Sequence, residues 1–376
     1  MRRPRVAYVA HSVDPTKGGM ELVSARLCER LARVVDLEVV AGDGLETLPP
    51  GVRRTRIPIP SRPNTARLVL FDLLGTARLR SVRRRNDLVH SCGAVAHARV
   101  DLITMHLSHA AVIDAQGGAR TPGRHGLRGV VSGWRRRRAA RLERWAMRRG
   151  HTRELGAVSQ AEARDLASRY PQLAITLIEN GVDVARFAQP PRSARGADQP
   201  LRILVVAGDF ERKGVPLAIR AVARTTNCRM RIIGAGDRRA MRSIAADYGA
   251  LDRIEVLPPR TDVELEFADA DVVLSCSLYE SFGLAVVEGA AAGCAVVCTD
   301  TGVGPELVAD DGDGPGGFVV PLNEFRIGGA LEALDKDREA CRAMGAAAAR
   351  RAERFSWDQM AAATLARYDA LLAQGP

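Results

Sequence analysis

Short apolar runs alternate with helical patterns along almost the whole chain. The apolar runs of the first half predict strands at 5–11, 37–42, 87–92, 100–107 and 154–159. Those of the second half predict strands at 201–208, 228–236, 253–259, 270–277, 294–300 and 316–321. The helices predicted between them include 20–34, 65–83, 133–149 and 160–169. Continuously apolar strands separated by helices indicate parallel sheets covered on both faces, an α/β class of fold.

A stretch rich in proline, arginine and glycine, 188–200, interrupts this alternation and is typical of a linker. The chain of 376 residues is long enough for two domains. We therefore predict two doubly wound, Rossmann-like domains facing a cleft. Ligands of such domains bind at the carboxyl ends of the strands, where the strand order reverses.

The strand ends of the second half carry glycines and charged residues. Their sequences are GDFERKG (208–214), GAG (234–236), PPR (258–260), SLYESFG (277–283) and DTGVGPE (300–306). Each leads into a predicted helix, whose N-terminal amides attract anions, and Arg212 and Lys213 add positive charge. These features favour a phosphate-bearing ligand, which we expect to be a nucleotide. Neither GxxxxGK[ST] nor GxGxxG after the first strand occurs, which disfavours a GTPase, a kinase or a simple dehydrogenase.

Two glutamates, Glu280 and Glu288, lie in a stretch that is otherwise almost free of charge. A carboxylate is costly to bury unless a partner satisfies it. An acid in the first turn of a helix can complement the helix dipole, which accounts for Glu280 alone. Glu288 falls well inside an apolar, alanine-rich helical run, so we expect a bound partner there.

The net charge of +11 is concentrated in one segment. Eleven arginines and a single acid, Glu143, lie between Arg120 and Gly150, so a general nucleic-acid coat is disfavoured. The pattern of 133–149 predicts a basic amphipathic helix, with Trp134, Leu142, Trp145 and Ala146 able to share one side. Three uses remain open: an anionic membrane surface, an anionic acceptor, or an ordinary surface helix.

The seven cysteines are scattered, without a CxxC pair, and we expect buried reduced thiols in a cytoplasmic protein. No window is long and apolar enough for a transmembrane helix. The protein is therefore expected in the cytoplasm, or peripherally on the inner face of the cytoplasmic membrane.

The segment SLYESFGLAVVEGAAAGCAVV resembles the E-x7-E signature of the retaining glycosyltransferases of family four, which have the GT-B fold. Further segments resemble the family in the same order, among them KGGMELVSARLCERLA (17–32), NGVDVARF (180–187) and FSWDQMAAATLARYDALL (355–372). GDFERKG is similar to the lipopolysaccharide-core glucosyltransferases. The likeness implies an acceptor-binding domain of 1–187 plus 356–376, the C-terminal helix returning to it, and a nucleotide-sugar-binding domain of 201–355.

The resemblance implies roles for residues of the second domain. Glu288 would accept hydrogen bonds from the ribose, and Glu280 would contact the transferred sugar. Lys213 and Arg212 would hold the diphosphate, with Arg212 replacing an arginine that many relatives carry where this chain has Asp209. The remaining donor contacts would come from backbone around Phe282, Gly283 and Leu284, and from the base-binding region at Gly234 and Arg260.

In the first domain, the resemblance implies that Gly18 and Gly19 bring backbone amides near the donor phosphate or the acceptor. It assigns His106 as the histidine near the sugar, with His109 as the rival and with His11 and His90 ranked lower. The acceptor would bind in the variable loops 108–130.

The function implied is a metal-independent, retaining transfer of a sugar from a nucleotide diphosphate sugar to a hydroxyl of a glycan, lipid-linked or small-molecule acceptor. UDP-sugars are favoured and GDP-mannose stays open; no cofactor and no nucleic-acid partner are expected.

The acidic pair in DAD (269–271) is interpreted as strand-start solvation rather than a metal site. The alternatives are a sugar-nucleotide epimerase or a phosphorylase of the same fold, and a non-enzymatic binder of anionic lipid or nucleic acid, which predicts salt-sensitive binding without turnover.

Overall fold

A computed structural model describes residues 2–60, 64–117, 126–188 and 199–375. The described residues form two compact units. The first unit contains those up to Gly181 and those from Trp357 onward, and the second runs from Val182 to Ser356. Most of the predicted linker, 189–198, and part of the predicted acceptor loops, 118–125, lie outside the described residues.

The first unit is built on a parallel sheet of seven strands in the order β3-β2-β1-β4-β5-β6-β7. The strands are β1 (Arg5–Val9), β2 (Asp36–Ala41), β3 (Arg53–Arg56), β4 (Leu88–Cys92), β5 (Val100–Met105), β6 (Thr152–Ala157) and β7 (Ala174–Leu177). Its helices are α1 (Gly19–Leu31), α2 (Asn64–Arg85), α3 (His109–Ala115), α4 (Gly126–Ala146) and α5 (Gln160–Arg169), with a 3₁₀ turn at Leu45–Thr47. The strand order reverses between β1 and β4.

The second unit is built on a parallel sheet of six strands in the order β10-β9-β8-β11-β12-β13. The strands are β8 (Leu201–Ala207), β9 (Cys228–Gly234), β10 (Ile254–Leu257), β11 (Val272–Ser275), β12 (Ala295–Cys298) and β13 (Gly317–Val319). Its helices are α6 (Val184–Phe187), α7 (Val215–Ala223), α8 (Arg238–Asp247), α9 (Val263–Asp269), α10 (Leu284–Ala291), α11 (Gly304–Val308), α12 (Glu324–Lys336) and α13 (Arg338–Ala352). Here the order reverses between β8 and β11.

The prediction of two doubly wound parallel-sheet units is confirmed. All eleven predicted strands are present, and two further strands, β3 and β7, form the edges of the first sheet. The helix α6 belongs to the second unit, where the Phe187 ring packs edge-on against Phe267 at 5.7 Å. The sequence had assigned these residues to the first domain.

The last helix, α14 (Trp357–Ala373), belongs to the first unit. Tyr368 contributes a hydroxyl 2.7 Å from Nδ1 of the buried His90 on β4. Arg367 forms an ion pair with the buried carboxylate of Glu154 on β6. The predicted return of the C-terminal helix is therefore observed as a packed, hydrogen-bonded element.

Aliphatic side chains fill both cores. In the second unit Ile203, Ile219, Ile232 and Leu331 are at most 2% exposed and belong to one cluster. All seven cysteines are free and buried. Among the described residues, no helix combines the length and the hydropathy that a membrane crossing requires.

Candidate functional site

The turn after β8 and the loop after β11 lie side by side where the second sheet reverses its order. The carbonyl oxygen of Arg212 accepts a hydrogen bond from the Leu278 amide at 3.0 Å. The Arg212 guanidinium donates to the carbonyl oxygen of Tyr279, also at 3.0 Å. These two bonds hold the basic turn 208–214 against the loop 277–283, which carries Glu280.

Gly214 makes this close approach possible. Its φ is +64°, in the left-handed region, and it precedes α7. A Cβ placed on it would lie 1.9 Å from the carbonyl oxygen of Cys276. Only glycine satisfies both the dihedral angle and the close approach of the two backbones.

Lys213 and Glu280 are in direct contact in this arrangement. The Lys213 Nζ and the Glu280 Oε2 form an ion pair, with side chains 18% and 15% exposed. Burial and the neighbouring Arg212 guanidinium lower the pKa of Lys213 to about 7, while the Asp209 and Glu288 carboxylates act in the opposite direction. The ion pair with Glu280 favours the charged ammonium. The site thus holds a desolvated cation beside a carboxylate.

Glu288 lies on α10, eight positions after Glu280. Burial raises the pKa of Glu288 from 4.5 to about 7, although the positive charges of Arg186 and Lys213 oppose the shift. Among the residues that the structure describes, none donates a hydrogen bond to its carboxylate. Glu280 therefore has a partner in the protein, whereas the carboxylate of Glu288 is available to a ligand.

Arg186 and Glu264 flank Glu288, and sequence reasoning missed both. Arg186 donates to Glu264 Oε2 at 2.6 Å and to the carbonyl oxygen of Thr261 at 2.8 Å. The charges of Arg186 and Glu264 act on the pKa of Glu288 in opposite directions. Arg186 lies in the family-like segment NGVDVARF, but nothing in the spacing indicates this pairing with a residue 78 positions away.

The backbone at the start of α10 surrounds Glu280. Gly283 precedes the helix with a φ of +98°, and Leu284 begins it. The Phe282 side chain is buried and packs edge-on against Phe355, so only its backbone can face a ligand. The Phe282 carbonyl oxygen accepts a hydrogen bond from Val303 at 2.8 Å, which fixes the loop against the strand end of β12.

Two of the predicted donor contacts have other partners in the structure. A Cβ on Gly234 would lie 1.7 Å from the Ala207 carbonyl oxygen, so packing against β8 accounts for this glycine. The exposed Arg260 guanidinium pairs with Asp262 at 2.8 Å and with Glu266 at 3.0 Å. Arg260 lies next to Thr261, whose carbonyl oxygen binds Arg186, so its loop is near Glu288.

The acids of the DAD segment bind arginines. Asp269 pairs with Arg202 and Arg231, and Asp271 accepts from the Arg202 backbone amide at 2.9 Å. No group of three or more histidine, cysteine or acidic side chains suited to a metal ion occurs in the described part of the chain.

In the first unit, a cavity of about 200 Å³ lies at the reversal point of the sheet. His11 follows β1 and His106 follows β5, and both side chains line it, as does His109 at the start of α3. His11 Nδ1 and His106 Nε2 are buried without a hydrogen-bond partner. Burial lowers the pKa of all three histidines to about 4, so their imidazoles are neutral near pH 7.

Three further candidates from the first unit, His90, Gly18 and Gly19, lie in different environments. His90 is fully buried, and its two ring nitrogens lie 2.7 Å from Tyr368 Oη and from Thr104 Oγ1, so it is part of the core. Gly18 and Gly19 open α1, and the Gly18 carbonyl oxygen accepts from Leu22 at 3.0 Å. A Cβ on Gly18 would lie 2.8 Å from a carboxylate oxygen of Glu21.

The basic helix α4 differs from the amphipathic arrangement predicted from the sequence. Leu142 and Ala146 are buried, whereas Trp134 is 48% exposed. Trp145 is half-buried, and its ring stacks on His151 at a centroid distance of 4.1 Å. The four apolar side chains therefore differ in burial: the C-terminal three pack on the protein, whereas Trp134 is half exposed and lines, together with Leu142, the cavity described above.

Two family models match the chain in sequence order. The model described as "Glycosyltransferase Family 4" matches residues 17–186, and the model described as "Glycosyl transferases group 1" matches residues 190–351. Together they cover most of the chain, in agreement with the two parallel-sheet units. The chain belongs to the glycosyltransferases of family four and has the GT-B fold.

A curated relative is the D-inositol 3-phosphate glycosyltransferase of Kineococcus radiotolerans, which is 31% identical over 244 residues. The match covers 57% of this chain and 56% of the relative, so the chain spans about half the length of the curated relatives it matches.

Two solved structures show the same fold at low sequence identity. WaaG, a glycosyltransferase involved in lipopolysaccharide biosynthesis, superimposes with a TM-score of 0.74 at 21% identity, covering 96% of this chain and 99% of WaaG. HepE of Anabaena, solved in complex with UDP and glucose, superimposes with a TM-score of 0.69 at 18% identity, covering 98% of this chain and all of HepE.

Proposed function

We propose that the chain transfers a sugar from a nucleotide diphosphate sugar to an acceptor hydroxyl, with retention of anomeric configuration. The contact between Lys213 and Glu280, with the unpartnered carboxylate of Glu288 on the following helix, carries this proposal. A diphosphate needs a cation, and the two sugars of the donor need hydrogen-bond acceptors. The second unit supplies both kinds of group at the reversal point of its sheet.

Each group has a role in the donor complex. Glu288 accepts hydrogen bonds from the two ribose hydroxyls, which stabilises its charged form. Lys213 and Arg212 bind the diphosphate and stabilise the charge that develops on it as the sugar leaves. Backbone at Gly283 and Leu284 faces the phosphates at the start of α10. Glu280 then exchanges its contact with Lys213 for the hydroxyls of the transferred sugar.

The transfer step needs no nucleophile from the protein. The acceptor oxygen forms its bond to the anomeric carbon on the face from which the phosphate oxygen departs. The acceptor proton moves to that phosphate oxygen, so configuration is retained and charge is balanced. We propose that Lys213 and Arg212 supply the positive charge, and that transfer proceeds without a metal ion or a cofactor.

UDP-sugars are the favoured donors, with GDP-mannose as the alternative. The low-identity structural likeness to HepE, whose crystals contain UDP and glucose, supports this choice. The acceptor is a hydroxyl of a glycan, of a lipid-linked intermediate or of a small molecule. In the first unit, the neutral imidazoles of His11 and His106 offer unpartnered nitrogens to its hydroxyls.

An anionic membrane surface is the proposed partner of α4, together with its neighbour α2. The exposed stripe of α4 begins with Val130, Val131 and Trp134 and continues with Arg137, Arg141 and Arg144. That of α2 begins with Leu70, Leu73 and Leu74 and continues with Arg78, Arg80 and Arg84. We call these two stripes the helix-pair surface. Arg138 of α4 binds Asp72 of α2 at 2.7 Å.

The helix-pair surface has the chemistry of a peripheral membrane contact. Asp72 and Glu143, the acids of the two helices, are buried. Apolar side chains can enter the headgroup region while arginines bind anionic lipids. On this proposal the protein works on the inner face of the cytoplasmic membrane. More protein should co-sediment with anionic vesicles than with neutral ones. Leu73→Gln should lower this binding, whereas the control Leu265→Gln of the second unit should not. Equal sedimentation with both vesicle types would refute the contact.

A binding and turnover experiment tests the transfer function. Thermal shift with UDP, UDP-glucose, GDP and GDP-mannose identifies the donor. NMR during slow hydrolysis of that donor shows which anomer of the sugar is released first, before mutarotation. We expect stabilisation by one donor class, an α product from an α donor, and activity that survives EDTA. Glu288→Gln should lower nucleotide affinity, while the exposed control Glu353→Gln should not. Unchanged affinity in Glu288→Gln, or an inverted product, would contradict the proposal.

A further inference from the structure

A second cavity of the first unit, of about 580 Å³, lies among the C-terminal half of α2, the residues before β5 and the end of α4. It shares no lining residue with the cavity of His11, His106 and His109, which lies beside the N-terminal half of α2. The strands β5 and β6 begin next to it, at Val100 and Thr152. It therefore lies at the sheet edge opposite to the carboxyl ends of the strands, and neither the transfer reaction nor the family likeness gives it a role.

The charges around this cavity are unbalanced. Arg80, Arg84 and Arg99 line it, and no acidic side chain does. Within the described residues, none of these three guanidinium groups has an acidic partner. A fourth lining arginine, Arg83, is bound through both of its terminal nitrogens to the buried Asp101 at 2.9 and 3.1 Å. These three lining guanidinium groups leave the cavity with positive charge that no carboxylate neutralises, and an anion bound between them would offset it.

Three aromatic rings in mutual contact line the cavity. Trp145 stacks on His151 at a centroid distance of 4.1 Å, and the His97 ring meets Trp145 at 4.8 Å, tilted by 58°. Nδ1 of His151 bonds the Trp145 carbonyl oxygen at 3.0 Å, and Nδ1 of His97 bonds Asp72 at 2.6 Å. Both rings are therefore fixed in orientation, and each has its Nε2 without a partner among the described residues.

We propose that this cavity, lined by Arg80, Arg84 and Arg99 and by the rings of His97, Trp145 and His151, binds a phosphate group. Guanidinium groups bind phosphate oxygens in pairs, and three of them match an anion with several acceptor oxygens and more than one charge. The free Nε2 atoms add two polar positions. The volume exceeds that of a phosphate alone, so a phosphomonoester fits together with the group that carries it.

Two sources can deliver this chemistry: a soluble phosphate compound or the headgroup of an anionic lipid. Arg80 and Arg84 belong to the helix-pair surface, so a lipid bound there presents its phosphate to the cavity. The site itself does not depend on the transfer reaction, because its residues belong to the first unit and none is assigned to donor binding.

The indole signal of Trp145 reports binding at this site directly. The chain has three tryptophans, so a ¹⁵N-labelled protein gives three indole resonances, and Trp145→Phe assigns the one of interest. Titration with inorganic phosphate, at an ionic strength held constant with chloride, should shift this resonance in a saturable manner. Phosphate at the donor site of the second unit does not produce that signal.

Matched variants separate a site from diffuse surface charge. Arg80→Gln/Arg84→Gln removes two charges from the cavity, and Arg78→Gln/Arg141→Gln removes two from the same helices outside it. We expect phosphate affinity to fall by about tenfold or more in the cavity variant and by less than about twofold in the control, since two charge-assisted contacts are lost. Arg99→Gln, on a different element, should weaken binding as well. All these arginines are exposed, and unchanged thermal unfolding confirms that the variants fold.

Vesicles of phosphatidic acid in phosphatidylcholine distinguish the two sources. Loss of phosphate binding together with a fall in vesicle binding that clearly exceeds the fall in the control identifies a lipid headgroup. Loss of phosphate binding with vesicle binding equal to that of the control identifies a soluble phosphate compound. A Trp145 resonance that does not respond to phosphate, or a control variant weakened as much as the cavity variant for both probes, would overturn the proposal.

Discussion

Lys213 and Glu280 are 67 positions apart in sequence, and their side chains form an ion pair at the reversal point of the second sheet. The pair joins the basic turn after β8 to the loop after β11. If Lys213 binds the diphosphate, as proposed above, donor binding exchanges this ion pair with Glu280 for one between the ammonium group and the diphosphate.

Lys213→Met should reduce turnover more than any other single change in the basic turn. The variant loses the cation that stabilises the departing diphosphate and leaves the Glu280 carboxylate unpaired. We expect kcat to fall by about 10²–10³-fold, in the range seen when one stabilising donor is removed from an active site. Donor-consumption kinetics measure this, with Lys336→Met, at an exposed helical position, as the control. Activity within threefold of the control level would show that Lys213 does not contact the diphosphate.

The raised pKa of Glu288 predicts how stability depends on pH. The folded pKa of about 7 lies above the ordinary value of 4.5, so the favourable contribution of this group is present below pH 4.5 and lost as the pH rises through 7. Glu288→Gln should therefore stabilise the ligand-free protein at pH 8, by up to roughly 3 kcal/mol, and change little at pH 4.5. Denaturant unfolding at both pH values measures the difference; equal effects would contradict the buried carboxylate.

Donor affinity should have a maximum near pH 7. Glu288 gains the charge that ribose hydroxyls prefer as the pH rises through about 7, while Lys213 loses the charge that the diphosphate needs. Calorimetric titration with UDP-glucose, whose diphosphate does not titrate in this range, should give a bell-shaped profile. Glu288→Gln should retain only the alkaline limb and Lys213→Met only the acid limb. A flat profile in the wild-type protein would refute both assignments.

Two glycines of the turn after β8 should respond differently to the same substitution. Gly214→Ala forces a side chain into the left-handed region and against the Cys276 carbonyl oxygen, and should destabilise the second unit by at least about 2 kcal/mol. At Gly208 the φ is ordinary and no atom lies within 4 Å of an added Cβ. Gly208→Ala should unfold like the wild type. Because this open space is at the strand end, the variant should still lose donor affinity, which separates packing from binding.

His106 and His90 form a second matched pair. His90 makes two hydrogen bonds of 2.7 Å in the core, and His90→Ala should destabilise the protein by about 2–3 kcal/mol. His106 has a buried nitrogen without a partner, so His106→Ala should leave unfolding nearly unchanged and lower transfer by about 10–100-fold. Unfolding curves and initial rates, measured on the same samples, distinguish the two roles. A reversed result would assign His90 to the site.

The sequence predicted the central strands better than the edges. Strands such as β8 and β12 are buried on both faces and have a continuous apolar run. The edge strands β3 (RRTR) and β7 (AITL) are short and partly exposed, so they carry no such run. Edge pairing depends on the neighbouring strand, which a local pattern does not specify.

For the candidate site, the sequence identified residues by their position at strand ends but not their contacts. Glu280 and Glu288 were recognisable as candidate binding residues because the stretch around them carries almost no other charge. The sequence does not show that Lys213 binds Glu280 or that Arg186 flanks Glu288. Both contacts depend on how distant segments meet in the folded unit. Likewise, the sequence placed Gly234 in a base-binding turn, whereas its close approach to Ala207 is a packing requirement.

Because α14 supplies Tyr368 and Arg367 to strands near the beginning of the chain, the first unit cannot be completed while those residues are still inside the ribosome. The second unit, made of one nearly continuous stretch, can fold as soon as its own residues emerge. During synthesis the second unit can thus fold before the first. The surface of the first sheet that α14 covers stays exposed until α14 has been synthesised.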